Sequence, residues 1–136
     1  RLLDSENSLL LSKMNYLGEY IFAFDDWSYQ AIISKQLRLL HWRKLYQLKF
    51  FVYCHPSMQI SNIVKRIEFL KENKCLPYLM RHIDCWKSEF SDFYVDIAAY
   101  CNQPALFKKL SFENFLEKRH TKTQRIENSK NLWNFK

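Results

Sequence analysis

The chain has 136 residues, of which 48% are hydrophobic and 26% charged, with one Gly, three Pro and a formal net charge of +7. This length can bury a core without metal or disulfide staples, and the composition excludes collagen-like, low-complexity and disordered chains. A single Gly argues against the glycine-rich loops that cradle phosphates, and so against nucleotide-binding α/β folds.

Helical periodicity dominates the sequence, and no sustained apolar–polar alternation marks a half-buried strand. A first helix is predicted from Ser5 to Phe24, with Leu9, Leu10, Met14, Leu17, Ile21 and Phe24 at helical spacing and Asp4 or Ser5 as its cap. Asp25-Asp26 breaks the pattern, and Asp26 can cap the next helix. That second helix is expected to be long, from Trp27 to Cys54, because Pro56 forces an exit just beyond it. Wound as a helix, it carries two apolar stripes. Ile33, Leu37, Leu40, Leu48, Phe51 and Val52 would face the core, and Ile32, Leu39, Tyr46 and Phe50 would lie around the cylinder as a surface for a partner.

A third helix is predicted from Pro56 to Lys74, on a seam of Ile60, Ile63, Val64, Ile67 and Leu70. Pro77 suits the first turn of a fourth helix, running to Cys101 with Leu79, Ile83, Trp86, Phe90, Phe93 and Ile97 in alternating steps of four and three. Pro104 to Leu110 forms a short helix, and Ser111 caps a last one anchored by Phe112, Phe115 and Leu116. Beyond Lys118 the apolar pattern thins, so residues 120–136 are read as a basic extension, frayed or partner-bound, to a single helical domain of residues 1–119. The resulting fold class is all-α: an irregular helical bundle or short helical array of four long helices plus one or two shorter ones.

The longest apolar stretches fall well short of the ~20 residues that span a membrane. The chain starts Arg1-Leu2-Leu3, without Met or the order of regions found in a signal peptide, and reads as a piece of a longer intracellular protein, nuclear rather than cytoplasmic. Cys54, Cys75, Cys85 and Cys101 fit no zinc ribbon or finger spacing, and are expected to be reduced and mostly buried.

Charge is uneven: residues 1–56 carry seven basic and five acidic groups, residues 57–103 six of each, and residues 104–136 eight and three. The last quarter is thus a positive pole that attracts phosphate backbones or acidic surfaces. Glu89, Asp92 and Asp96 form an acidic strip expected to dock Lys118, Arg119 or Lys122. Lys35, Arg38, Trp42 and Lys49 interleave cations with an aromatic, as single-strand binders do, although such cationic stems also cover ordinary bundles.

None of the four histidines, His41, His55, His82 and His120, has a recognisable partner set; His82 and Cys85 stand three apart on one helical face, and two ligands do not make a zinc site. Adjacent residues on a helix point about 100° apart, so Cys54 and His55 cannot act as nucleophile and base there. No catalytic residue, metal or cofactor is expected, and no small-molecule substrate or membrane span.

The function read from these features is a non-catalytic scaffold or subunit-docking domain that binds another protein through Ile32, Leu39, Tyr46 and Phe50. The first alternative is a helical nucleic-acid binder using Arg38, Lys49, Lys118, Arg119, Lys122 and Arg125. The second is a secreted helical-bundle signalling factor.

Overall fold

A computed structural model describes residues 4–14 and 18–135; Leu17, placed above in the first helix, lies outside them, as do Arg1, Leu2 and Leu3. The fold is mixed α/β, which corrects the all-α expectation. Its order is α1 (Ser5–Lys13), β1 (Tyr20–Ala23), a 3₁₀ turn (Trp27–Tyr29), α2 (Gln30–Leu39), β2 (Leu48–Cys54), α3 (Ile60–Glu72), β3 (Leu76–Arg81) and a second 3₁₀ turn (Ile83–Lys87). Four further helices close the chain: α4 (Ser91–Cys101), α5 (Pro104–Lys109), α6 (Phe112–Arg119) and α7 (Thr123–Asn134).

The strands form one parallel sheet in the order β1-β2-β3, with Phe22 beside Phe50, Phe50 beside Pro77 and Val52 beside Leu79. Each reads as part of a helix in the sequence for a physical reason. Strands of a parallel sheet carry near-continuous apolar runs rather than an alternating pattern, and Leu48–Cys54 and Leu76–Arg81 are such runs, rich in aromatic and bulky side chains. Pro77 looks like a helix start but is tolerated within β3. The amide of Leu79, two residues on, donates outward to Asn102 Oδ1 (2.7 Å), so the amide that Pro77 lacks would also have pointed away from β2. The predicted second helix ends at Leu39, where the amide of Leu40 bonds back to two carbonyls of the last turn.

Two caps read from the sequence form as expected, Asp4 accepting from the amide of Asn7 and Ser111 from that of Asn114, whereas Asp26 accepts from the amide of Ser28 and caps the 3₁₀ turn that leads into α2, not α2 itself.

Helices α2 and α3 cover the same face of the sheet. Ile33 and Leu37 of α2, and Leu40 just beyond it, line one small cavity with Phe22 and Phe50. Phe69 of α3 meets Phe24 edge-on at 5.7 Å, and Phe24 in turn meets Phe50. α4 packs on β3 and borders α3 across a groove lined by Ile60, Phe90 and Tyr94. The side chain of Asn102 bonds both the amide and the carbonyl of Leu79, and so closes the outer edge of β3 at that point.

Residues 120–136, expected as a loose extension, contain α7, which is docked. Trp133 stacks on Phe112 at 4.4 Å, and Ser129 is buried. The acidic strip does bind the basic end of the chain, as expected for Arg119. The buried Asp96 carboxylate takes His120 Nε2 at 2.7 Å, Arg125 Nη2 at 3.2 Å, Arg119 Nε at 3.4 Å and the Ser129 hydroxyl at 2.9 Å. Burial alone would raise its pKa, but the hydrogen bonds from Arg125, His120 and Ser129 outweigh it and hold the carboxyl below its ordinary value. Fully buried carboxylates persist only with such partners.

Helix α3 stops in a Schellman motif, with Cys75 N bonded to Leu70 O and Lys74 N to Lys71 O, and its left-handed position is held by exposed Lys74 (φ 54°) rather than glycine. Lys74→Gly should therefore stabilise the fold by about 0.5–1 kcal/mol in urea unfolding. For Asp96, a depressed folded pKa means stability that is complete above the ordinary carboxyl range and lost as pH falls through the lower folded value. Hydrogen exchange should show α7 losing protection on acidification below about pH 4 in the wild type. Asp96→Asn should loosen α7 already at neutral pH, by about 3 kcal/mol, and abolish that acid dependence.

Candidate functional site

In parallel sheets the strands' carboxyl ends gather at one edge, where loops are free to carry chemistry. Here β1 runs out into Asp25 and Asp26, β2 into His55, and β3 into His82 and Asp84. Asp26 is used structurally. It accepts from Ser28 N (2.8 Å) and Asn62 Nδ2 (3.1 Å), and the hydrogen bonds from Ser28 lead in lowering its pKa.

Behind this edge lies Arg66 of α3, fully buried. Its Nη1 donates to Phe24 O (2.6 Å), its Nη2 to Tyr53 O (3.0 Å) and its Nε to Asn62 O (3.4 Å), so one guanidinium ties the ends of β1 and β2 to α3. Desolvation lowers its pKa to about 10, which still leaves it charged at neutral pH. One residue past Tyr53, the carbonyl of Cys54 accepts from the amide of His82 (2.9 Å), which fixes the exits of β2 and β3 side by side.

That backbone link brings His55 and His82 together, with ring centroids 4.6 Å apart. The Asp84 carboxylate sits against both: its Oδ2 lies 3.5 Å from His55 Nε2 and 3.4 Å from His82 Nδ1. Ser57 holds the far side of the first ring, with its hydroxyl 2.8 Å and its amide 3.0 Å from His55 Nδ1. The amide of Asp84 donates to His82 Nδ1 at 3.2 Å, capping the second 3₁₀ turn. Two imidazoles and a carboxylate so arranged can hold a divalent cation or pass a proton. The two histidines are half-buried and Asp84 is exposed, so the group is open to solvent.

The neighbouring thiols do not join it. Cys85 is buried with Sγ directed to Cys54 O at 3.6 Å, so the pairing of His82 with Cys85 that helical spacing would allow is not formed. All four cysteines are free and buried, and desolvation pushes the Cys54 thiol up to about 12. A thiol held protonated in this way is a poor nucleophile.

The second feature is the sheet face opposite α2 and α3. Ala23, Phe51 and Tyr78 lie in register across it, and Tyr53 is beside Met80. Ile21 is 53% exposed, Tyr53 37%, Tyr78 43% and Met80 44%. Phe51 and Tyr78 contact each other at 5.6 Å, and Lys49 pairs with Glu19 at 2.5 Å at the lower end of the face. At its upper end the Arg81 guanidinium lies over exposed Trp86 at 4.2 Å.

The partner-binding residues expected from the sequence are dispersed. Ile32 is exposed on α2, Leu39 is half-buried at its last turn, Tyr46 sits in the following loop with φ 62°, and Phe50 is buried in β2. The stripe that joined them requires one continuous helix, and the chain turns at Leu40 instead. Of the nucleic-acid set, Arg38, Lys118 and Lys122 are exposed, Arg119 and Arg125 are drawn to Asp96, and Lys49 is paired with Glu19. Sequence reasoning misses both the clustering of His55, His82 and Asp84 and the face of Ile21, Phe51, Tyr53, Tyr78 and Met80. One sequence signal does point to the former: the apolar run ending at Cys54 is followed at once by His55, and the run ending at Met80 is followed by Arg81 and then His82.

Comparison with protein-family models, curated proteins and solved structures found no match to this chain.

Replacing Arg66 with Met should leave the carbonyls of Phe24 and Tyr53 buried without donors. Urea unfolding should show a loss of roughly 3 kcal/mol or more, with the largest rise in hydrogen exchange at the exits of β1 and β2.

Proposed function

We propose that this chain is a docking domain that works through the bare face of its sheet, and that the occupant of that face is a protein segment supplying further parallel strand–helix units. The observation that carries the reading is the one-sided cover. Parallel sheets occur almost only with both faces buried, because their connections are helices and their strands are apolar on both sides. In doubly wound sheets the strand order reverses and helices fall on both faces, whereas a consecutive order keeps them all on one, as in a closed barrel. Here the order is consecutive, the crossover helices α2 and α3 are on one face, and the other presents Ile21, Phe51, Tyr53, Tyr78 and Met80.

The two edges of the sheet differ in a way that favours growth at β1. Asn102 closes β3 at Leu79. β1 is the other edge strand: Tyr20 N and Phe24 N bond to Gln47 O and Phe51 O of the β2 side, so Ile21 and Ala23 turn their backbone groups outward. This reading keeps the scaffold role expected from the sequence, moves the surface from α2 to the sheet, and assigns no reaction to the chain itself. Its setting would be a larger intracellular protein or complex. Among the described residues no helix is long and apolar enough to cross a membrane.

A nucleic-acid strand stacking on Phe51, Tyr53 and Tyr78 is the competing occupant, and aromatic platforms on sheets do bind bases. A photo-crosslinking residue placed at Tyr78 in the protein as expressed in its own cells separates the two. The expected product is a crosslink to a peptide containing an apolar strand segment, lost when Met80 is replaced by Asp. Crosslinking to nucleic acid, or to no macromolecule at all, would overturn the proposal.

A further inference from the structure

We infer that His55, His82 and Asp84 form a binding site for a divalent transition-metal ion of the zinc class, in which protein ligands fill three positions and leave the rest to solvent or a ligand. The inference goes beyond the docking role and does not depend on it.

Three donor atoms converge there from two adjacent strand exits: His55 Nε2, His82 Nδ1 and Asp84 Oδ2, all within 4.8 Å of one another. The carboxylate oxygen stands 3.5 and 3.4 Å from the two nitrogens. These separations are long for direct hydrogen bonds, which centre near about 2.9 Å. They match the distance between two ligands of one tetrahedral ion, since bonds of about 2.0–2.1 Å at the tetrahedral angle set neighbouring donors about 3.3–3.4 Å apart. The carboxylate oxygen is therefore spaced from each nitrogen as one ligand from another, and the two nitrogens lie within 4.8 Å of each other.

Metals take the unprotonated imidazole nitrogen. His82 Nδ1 accepts from the amide of Asp84 at 3.2 Å and so carries a lone pair, with the Asp84 carboxylate oxygen 3.4 Å away. Ligation would replace that amide bond. For His55 the metal would take Nε2. In the metal-free chain Nδ1 accepts from the Ser57 amide at 3.0 Å, so a neutral ring holds its proton on Nε2, and ligation would move that proton to Nδ1, where Ser57 Oγ at 2.8 Å can accept it.

The donor set selects the ion. Two imidazoles with one carboxylate suit zinc and its neighbours in the first transition row, while calcium and magnesium prefer all-oxygen cages. Structural zinc sites use four protein ligands, so three with one exposed side indicate an open coordination position. The scaffold is rigid where it matters. His82 N is held by Cys54 O, and the β2 exit by Arg66, so both histidines are placed by backbone bonds that do not involve the metal.

The test is a calorimetric titration of the chelator-treated protein with Zn²⁺, and in parallel a Co²⁺ titration followed by absorption. The expected result is one equivalent of Zn²⁺ bound, with Co²⁺ giving the weak visible bands of nitrogen and oxygen ligands and no intense thiolate charge-transfer band. His55→Gln, His82→Asn and Asp84→Asn should each weaken binding roughly tenfold or more, and Ser57→Ala by less. Asn at position 82 keeps an acceptor for the 3₁₀ cap, and far-UV circular dichroism of each metal-free variant should match the wild type. No saturable Zn²⁺ binding, binding that the three variants leave unchanged, or a thiolate band on Co²⁺ would each overturn the site.

Discussion

The fold turns on a buried cation. Arg66 is enclosed within the core, and a lone guanidinium there would cost several kcal/mol in lost hydration. Its hydrogen bonds go not to a carboxylate but to the carbonyls of Phe24, Tyr53 and Asn62. The Phe24 and Tyr53 oxygens belong to the exits of β1 and β2, where the strand ladder leaves acceptors over, while that of Asn62 lies in the first turn of α3 and takes a longer, additional bond. The charge and the orphaned carbonyls thus satisfy each other. The exits of the sheet are as rigid as its centre, and that rigidity is inherited by every side chain mounted on them.

From this clamp the geometry of the polar edge is built in two steps. The Tyr53 carbonyl is held by Arg66, and the next carbonyl, of Cys54, receives the amide of His82. Two histidines 27 residues apart in sequence are thereby set ring to ring, and the tight 3₁₀ turn after them folds Asp84 back against both. A second, independent anchor works at the other end of the molecule. Lys71 Nζ is gripped by the carbonyls of Phe107 and Leu110 and by the Tyr100 hydroxyl, which joins α3 to α5 and the last aromatic cluster. Each of these cations on α3 reaches two carbonyl oxygens outside the helix, and the helix acts as the spine between sheet and C-terminal helices.

What can be read from the residues alone divides along physical lines. Local chemistry is legible: the caps at Asp4 and Ser111, the break at Asp25-Asp26, the third helix on its Ile60–Leu70 seam and the docking of Arg119 on Asp96. Non-local pairing is not. Leu48–Cys54 is buried at alternate positions by α2 and α3, but its outward positions carry Phe51 and Tyr53, so the alternation that would reveal a strand is hidden. The same ambiguity makes Pro77, a strand residue, look like a helix start. The surface stripe from Ile32 to Phe50 depends on a helix that does not exist, and its residues separate into helix, loop and strand. His55 and His82 are each visible in the sequence, and each looks isolated, because only the β2–β3 register makes them neighbours.

The bare face and the polar edge are consequences of one alternation. Going along β2, every second residue enters the helix-covered core, and the others rise to Tyr53 on the open side, directly below the histidines; its ring lies 6.5 Å from that of His82. A protein layer placed on Phe51, Tyr53 and Met80 would exclude water from one flank of the His55–His82–Asp84 group. Charge interactions strengthen as the surrounding dielectric falls, so a cation held by Asp84 would be bound more tightly in the covered state than in the open one. By linkage the bound cation would favour the covered state to the same degree. A docking surface and a metal site placed in this way would not be two unrelated uses of a small domain. With Tyr53 near the end of β2 and His55 just beyond it, separated by one residue, assembly and ion binding would report on each other through β2.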